Sequence, residues 1–323
     1  MNAAVAVRGL KKTYGKVEAV KGVDFEVSPG EVFGFLGPNG AGKTTTISML
    51  CTLINPTGGS AMVAGHDVVT ERDQVRQNIG LVFQDPTLDG YLTAEQNLRF
   101  HAELYGVPKD VLGDRMRQVL EMVALWDRKD SKVMTFSGGM KRRLEIARGL
   151  LHSPRVLFLD EPTVGLDPQT RSAIWGYINK LRHMEDITIF MTTHYMEEAE
   201  FCDRIAIIDH GRIVVIDSPE ALKASVGKDR VQIQTGDDES AIALLKEQFG
   251  LDAAVRDGQV TFAVASGEEF VPRLFADLGL PIRSVSVSRP SLDDVFMSYT
   301  GSTIRDAESG PGNEWMRAMA RGR

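Results

Sequence analysis

The stretch EVFGFLGPNGAGKTTTISML, residues 31–50, decides the fold. It begins as an apolar strand and passes into a glycine-rich loop, Gly37, Pro38, Asn39, Gly40, Ala41, Gly42, Lys43 and Thr44. From Lys43 to about Leu53 the spacing is helical. Strand, G-x-x-x-x-G-K-T loop and helix is the context in which a backbone wraps a polyphosphate. Glycines remove the Cβ atoms that would block the wrap, and loop amides with the helix N-terminus face the anion. Lys43 is predicted to reach the β- and γ-phosphates. Thr44 is predicted to offer its hydroxyl to Mg2+, and Thr45 to support the α-phosphate side. The loop alone does not choose among ATPases, GTPases and small-molecule kinases.

Outward from it the pattern stays α/β. AVAVRGL (4–10) and VEAVKGVDFEV (17–27) alternate as strands, and the region from about Thr93 to Leu150 has helical spacing and reads as an insert. RVLFLDEP (155–162) is a buried strand, followed by a helix through Ala173–Arg182. ITIFMTT is the next strand, a helix covers Met196–Cys202, and RIAIIDHGRIVVID is a hairpin around His210-Gly211. This first domain is expected to end near Leu222–Gly227. The remainder follows a β-α-β-β-α-β order, which predicts a small α+β unit of ferredoxin-like type. The expected division is a domain over 1–227 with a helical part at about 86–150, a second over 228–301, and a flexible tail over 302–323.

Composition sets bounds on function. With 323 residues, 43% of them apolar, the chain is long enough for about two cored domains. The net charge of -7 disfavours a polyanion binder, so no nucleic-acid partner is expected. Two cysteines, Cys51 and Cys202, make neither a disulfide framework nor a metal knuckle and fit a reducing compartment. No apolar run is long enough to span a bilayer. The expectation is a soluble cytoplasmic protein.

Asp160 and Glu161 end the apolar strand 155–162. The carboxyl end of a parallel strand opens on the ligand crevice. Asp160 is predicted to hold Mg2+ and Glu161 to activate water. Adjacent strand residues point opposite ways, which supports separate roles. Further on, Ser137, Gly138 and Gly139 open the basic helix KRRLEIARGLL, a second anion-binding helix start.

With two such helix starts, the sequence resembles the ATP-binding subunits of ABC transporters. FSGGM (136–140) looks like that family's signature, usually LSGGQ, and the resemblance covers about residues 5–225. It implies a P-loop ABC ATPase domain with a mixed sheet and helical insert. It also implies a head-to-tail homodimer that sandwiches ATP between the phosphate loop of one copy and Ser137-Gly138-Gly139 of the other. By the same resemblance Tyr14 stacks on adenine, and Gln84 touches Mg2+ and senses the membrane partner. Asp167 sits at the dimer interface and His194 contacts the γ-phosphate. Phe136 and Met140 depart from the usual leucine and glutamine; the three anion-binding positions are intact, so hydrolysis is expected to survive.

The C-terminal unit and RPSLDDVFMSYTG (289–301) are similar to ATPase subunits of daunorubicin-resistance-type exporters. That implies a separate transmembrane permease, no direct cargo binding, and a place on the cytoplasmic face of the membrane. In that family an LDEVF-like segment aids assembly; here it would be Leu292–Phe296. The same residues also read as an amphipathic helix with Leu292, Val295, Phe296 and Tyr299 on one core face, and both readings stand. WMRAMARGR at the end suggests a weak amphipathic segment within a flexible tail. The competing function is a non-transport ABC ATPase acting on nucleic acid or ribosomes.

Overall fold

The computed structural model describes residues 3–185, 187–256 and 258–301. The tail 302–323, with WMRAMARGR, lies outside the described residues. The chain divides into two units, one described up to Asp217 and the other from Ser218 onward.

In the first unit, β1 (Val5–Tyr14), β2 (Val17–Val27) and β3 (Val32–Leu36) lead into α1 (Lys43–Leu50). β4 (Gly58–Val63), β5 (His66–Asp67), α2 (Arg72–Asn78) and β6 (Ile79–Val82) follow. Then come α3 (Ala94–Leu104), α4 (Lys109–Met122) and α5 (Gly138–Leu150), the expected helical insert. β7 (Val156–Asp160), α6 (Pro168–Glu185), β8 (Thr188–Thr193), α7 (Met196–Ala199), β9 (Arg204–Asp209) and β10 (Arg212–Asp217) complete it.

Two sheets form. One is antiparallel, in the order β2-β1-β4-β5; the other has the order β10-β9-β3-β8-β7-β6. The second is parallel except for the antiparallel β10–β9 hairpin. β3, β7 and β8 are buried along their whole length, which is why they read as continuous apolar runs. Phe25 of β2 meets Phe33, Phe35 and Phe190 of the parallel sheet, with ring centroids 5.6–5.9 Å apart. Burying each such ring stabilises the fold by about 2–3 kcal/mol. α3 starts where Thr93 and Gln96 close a reciprocal capping box.

α6 begins at Pro168, earlier than the expected Ala173, because Asp167 caps it. The Thr170 amide donates to Asp167 Oδ1 at 2.9 Å and the Thr170 hydroxyl to Oδ2 at 2.6 Å. The helix after β8 is shorter than expected, ending at Ala199.

The second unit contains α8 (Pro219–Val226), β11 (Asp229–Thr235), α9 (Asp238–Phe249), β12 (Ala253–Arg256), β13 (Gln259–Val264), α10 (Gly267–Asp277), β14 (Ile282–Ser288) and α11 (Leu292–Thr300). Its sheet is antiparallel in the order β12-β13-β11-β14, the split β-α-β arrangement of ferredoxin-like units. Val231, Ile233, Leu245, Val260, Phe262 and Leu274 fill its core. α8, which the sequence reading assigned to the first domain, packs instead on α11. Leu292, Val295 and Phe296 of α11 are buried, and Tyr299 Oη lies 3.4 Å from Ser225 Oγ of α8. Core packing therefore accounts for Leu292, Val295 and Phe296, while Tyr299, expected on the same core face, is 39% exposed.

Candidate active site

The site gathers at the carboxyl ends of the parallel strands, where an open α/β sheet offers its crevice. β3 runs into residues 37–42, β6 into Gln84, β7 ends at Asp160, and β8 ends one residue before His194.

Gly42 caps α1 with φ +107°, and a Cβ there would stand 2.7 Å from the Ala19 carbonyl oxygen. Only glycine fits that corner. Lys43 follows it, 4% exposed, and its ammonium turns back over the loop. Nζ donates to the Gly37 carbonyl at 2.7 Å and the Pro38 carbonyl at 3.1 Å, and lies 3.2 Å from Glu161 Oε1. Asn39, Gly40 and Thr44 are exposed, Thr45 half-buried, and Ala41 buried.

Asp160 Oδ1 accepts the Thr192 hydroxyl at 2.5 Å and the Thr44 hydroxyl at 3.4 Å. Burial raises the Asp160 pKa, and the Thr192 hydrogen bond pulls the other way. The same Thr192 oxygen accepts the Glu161 amide at 3.0 Å. Glu161 sits at φ +45°, a left-handed backbone uncommon outside glycine, which turns its side chain off the strand axis. Gln84 Nε2 donates to Glu161 Oε2 at 3.3 Å. His194 Nδ1 lies 3.3 Å from Glu161 Oε1, outside the alignment of a regular hydrogen bond. Burial pushes the Glu161 pKa up, but the contact with His194 and the Lys43 charge outweigh it and leave it below the usual glutamate value.

Lys43, Thr44, Gln84, Asp160, Glu161 and His194 are thus brought together. The Thr44 hydroxyl and the Asp160 carboxylate, 3.4 Å apart, are hard oxygen donors of the kind that suits Mg2+, while Gln84 turns its amide nitrogen to Glu161. Tyr14 stands outside this cluster at the end of β1, 49% exposed, with Lys12 Nζ 5.0 Å from its ring centroid.

Ser137, Gly138 and Gly139 also stand outside the cluster. Ser137 caps α5, accepting the Met140 amide at 3.3 Å, and Ser137 and Gly138 are exposed. A Cβ on Gly139 would lie 2.4 Å from Thr170 Cγ2, so the glycine lets α5 approach α6. Asp167 is engaged as the α6 cap described above. Phe136 is buried with the Arg128 guanidinium 5.6 Å from its ring centroid, a packing role for the unusual aromatic.

Three residues escaped the sequence reading. Thr192 joins Asp160 to Glu161. Arg142 of α5, 6% exposed, gathers carbonyl oxygens: Pro162 at 2.5 Å, Asp160 at 3.2 Å, Glu161 at 3.0 Å, and Phe83. It also pairs with Glu145 at 3.2 Å, which accepts the Thr87 amide at 2.7 Å. One guanidinium fork therefore ties α5 to the end of β7 and to the Gln84 loop. Glu198 is the third. The basic run 141–143 hints at Arg142 but does not tell a buried arginine from its exposed neighbours.

Comparison with known proteins bears on the family and the fold. Residues 20–164 match the ABC transporter family, and residues 218–300 match the C-terminal domain of DrrA1-3-like ATP-binding proteins. The chain is 40% identical over 314 residues to the daunorubicin/doxorubicin resistance ATP-binding protein DrrA of Streptomyces peucetius, covering 94% of each chain. It is 36% identical over 309 residues to the Nod factor export ATP-binding protein I of Cupriavidus metallidurans, covering 95% of this chain and 100% of that one. Among solved structures it resembles the ATP-binding cassette MJ0796, a dimer in a post-hydrolysis state bound to ADP and Pi. That match has a TM-score of 0.60 and 28% identity, over 66% of this chain and 98% of the other.

Proposed function

Since the chain belongs to the ATP-binding subunits of the ABC transporter family, we propose that this ATPase is the energy-coupling subunit of an exporter. A separate membrane permease carries a drug-like or other hydrophobic substrate. The observation that carries the reading is the convergence of Lys43, Gln84 and His194 on Glu161. Lys43 binds the β- and γ-phosphates, exchanging the Glu161 carboxylate and loop carbonyls for phosphate oxygens. Glu161, then released, orients and deprotonates the attacking water. Gln84 and His194 follow the carboxylate and hold it toward the γ-phosphate. Thr44, Asp160 and Gln84 would hold Mg2+, which supplies charge neutralisation for the departing phosphate. Tyr14 stacks on adenine. Asp167, with Ser137, Gly138 and Gly139, meets the nucleotide of a second copy; the exposure of Ser137 and Gly138 supports that role.

Support for export comes from the relatives' names, which speak of resistance and Nod factor export. Among the described residues no helix is long and apolar enough to cross a membrane, so the pathway is assigned to another chain. A non-transport ATPase acting on nucleic acid or ribosomes finds no support in these comparisons. Affinity capture of the full chain from detergent-solubilised cells tests the reading. Recovery of a multi-span membrane protein is the expected result; recovery with ribosomes or nucleic acid alone would overturn it.

A further inference from the structure

Glu198 is a buried carboxylate with no place in the cycle above. It lies on α7, 1% exposed, between the two segments that carry Glu161 and His194. Its Oε1 accepts the hydroxyl of Thr163, two residues beyond Glu161. Its Oε2 accepts the hydroxyl of Thr193, one residue before His194, at 2.6 Å. The Thr193 oxygen in turn accepts the Tyr195 amide at 2.9 Å, so the backbone is fixed on both sides of His194. On the other segment, the Thr163 carbonyl accepts the Leu166 amide at 3.1 Å and the Glu161 carbonyl accepts the Val164 amide at 3.3 Å. One carboxylate therefore anchors both turns.

We propose that Glu198, as a carboxylate, is a positioning residue that holds Glu161 and His194 in register for ATP hydrolysis. This rests on the catalytic reading of Glu161 and His194 given above. A carboxylate is an acceptor at both oxygens and can take both threonine hydroxyls at once. A carboxylic acid donates from one oxygen, so one of the two threonines then faces a donor and must turn, leaving its own proton without an acceptor in a dry site. Charged and titratable groups face Glu198 from every side. Arg171 of α6 lies 3.9 Å away, and His194, Glu161 and Arg142 act on it or are acted on through space. The Cys202 thiol, beyond α7, donates to the Glu198 carbonyl at 3.9 Å. Burial dominates, with the Thr193 hydrogen bond and Arg171 opposing it, and the Glu198 carboxyl is pushed up to about 7. The anchor thus titrates in the neutral range, and protonating it loosens both turns.

The test is steady-state ATP hydrolysis by the full chain from pH 5.5 to 8.5, with ATP affinity measured separately. Glu198→Gln keeps the shape and cannot ionise. Wild-type kcat should rise through neutrality, and a flat wild-type profile would count against the anchor; the variant should show kcat lowered about tenfold at pH 8, KM for ATP little changed, and no such rise. Retention of that rise, or full kcat in the variant, would overturn the proposal. Intact ATP affinity shows that the variant has folded. If it does not fold, Thr193→Val and Thr163→Val carry the test: each should lower kcat and flatten the same rise, and unchanged profiles would refute the anchor. Glu161→Gln separates the two readings. If it turns over normally, the catalytic assignment itself fails; if it is inactive while Glu198→Gln behaves as wild type, only the anchor fails.

Discussion

The Lys43 ammonium and the Glu161 carboxylate stand 3.2 Å apart, with side chains 4% and 6% exposed. Each satisfies the other's charge where water does not reach, which an unpaired ion at this depth would not tolerate. On the proposed reading a nucleotide breaks this pair as it binds, so loading the site and freeing the carboxylate become one event.

Glu161→Gln should abolish turnover, with kcat down at least about 100-fold, and should bind ATP more tightly than wild type because Lys43 is released. Phosphate release and equilibrium nucleotide binding measure the two effects. Turnover near wild type would remove Glu161 from the chemistry.

Lys43→Ala should weaken ATP binding by about 10–100-fold, the loss of a charge-assisted contact to phosphate. The same titration with fluorescent nucleotide checks it, and unchanged affinity would contradict the loop assignment.

Arg142→Lys should destabilise the first unit by about 3 kcal/mol, because an ammonium cannot reproduce the planar fork among several carbonyl oxygens. Urea unfolding measures it. A drop confined to activity, with stability unchanged, would show that the gathered carbonyls do not need the guanidinium.

Gly139→Ala should cost stability because its Cβ meets Thr170 Cγ2 at 2.4 Å. Thr170→Ser removes that methyl while keeping the hydroxyl that caps α6, and should restore stability in the double variant. ATP hydrolysis should stay low in the same protein if Gly139 also touches the second copy's nucleotide. Recovery of both would reduce Gly139 to a packing residue.

Glu198 makes stability fall as pH rises. Its folded value, about 7, lies above the ordinary 4.5. Below about pH 4.5 both folded and unfolded forms are protonated and nothing is lost. Between the two values the folded chain alone keeps the proton, so stability drops with pH, and above pH 7 the full cost is about 3 kcal/mol. The Tm difference between Glu198→Gln and wild type should therefore move in the variant's favour from pH 5 to pH 8. An equal difference at both would show that Glu198 is not the group responsible.

The phosphate loop and the ends of β7 and β8 are legible in the sequence because each is a contiguous string in which strand, turn and functional side chain are adjacent. Arg142 and Thr192 are not. Arg142 meets Phe83 from 59 positions away, and Thr192 meets Asp160 from 32, contacts that exist only once the strands are ordered. Glu198 reads as one acid among several in MEEAE, and burial alone distinguishes it. The start of α6 carried a local signal, an aspartate before a proline, which apolar spacing overrode. α8 carried another in Ser218-Pro219. A capped helix can open a new unit as readily as close an old one, and α8 does so here.

Ser137 Oγ accepts the amide of Met140, within its own helix. Accepting that amide uses an oxygen lone pair and leaves the hydroxyl proton to be given to an outside acceptor, such as the phosphate of a second copy's nucleotide proposed above.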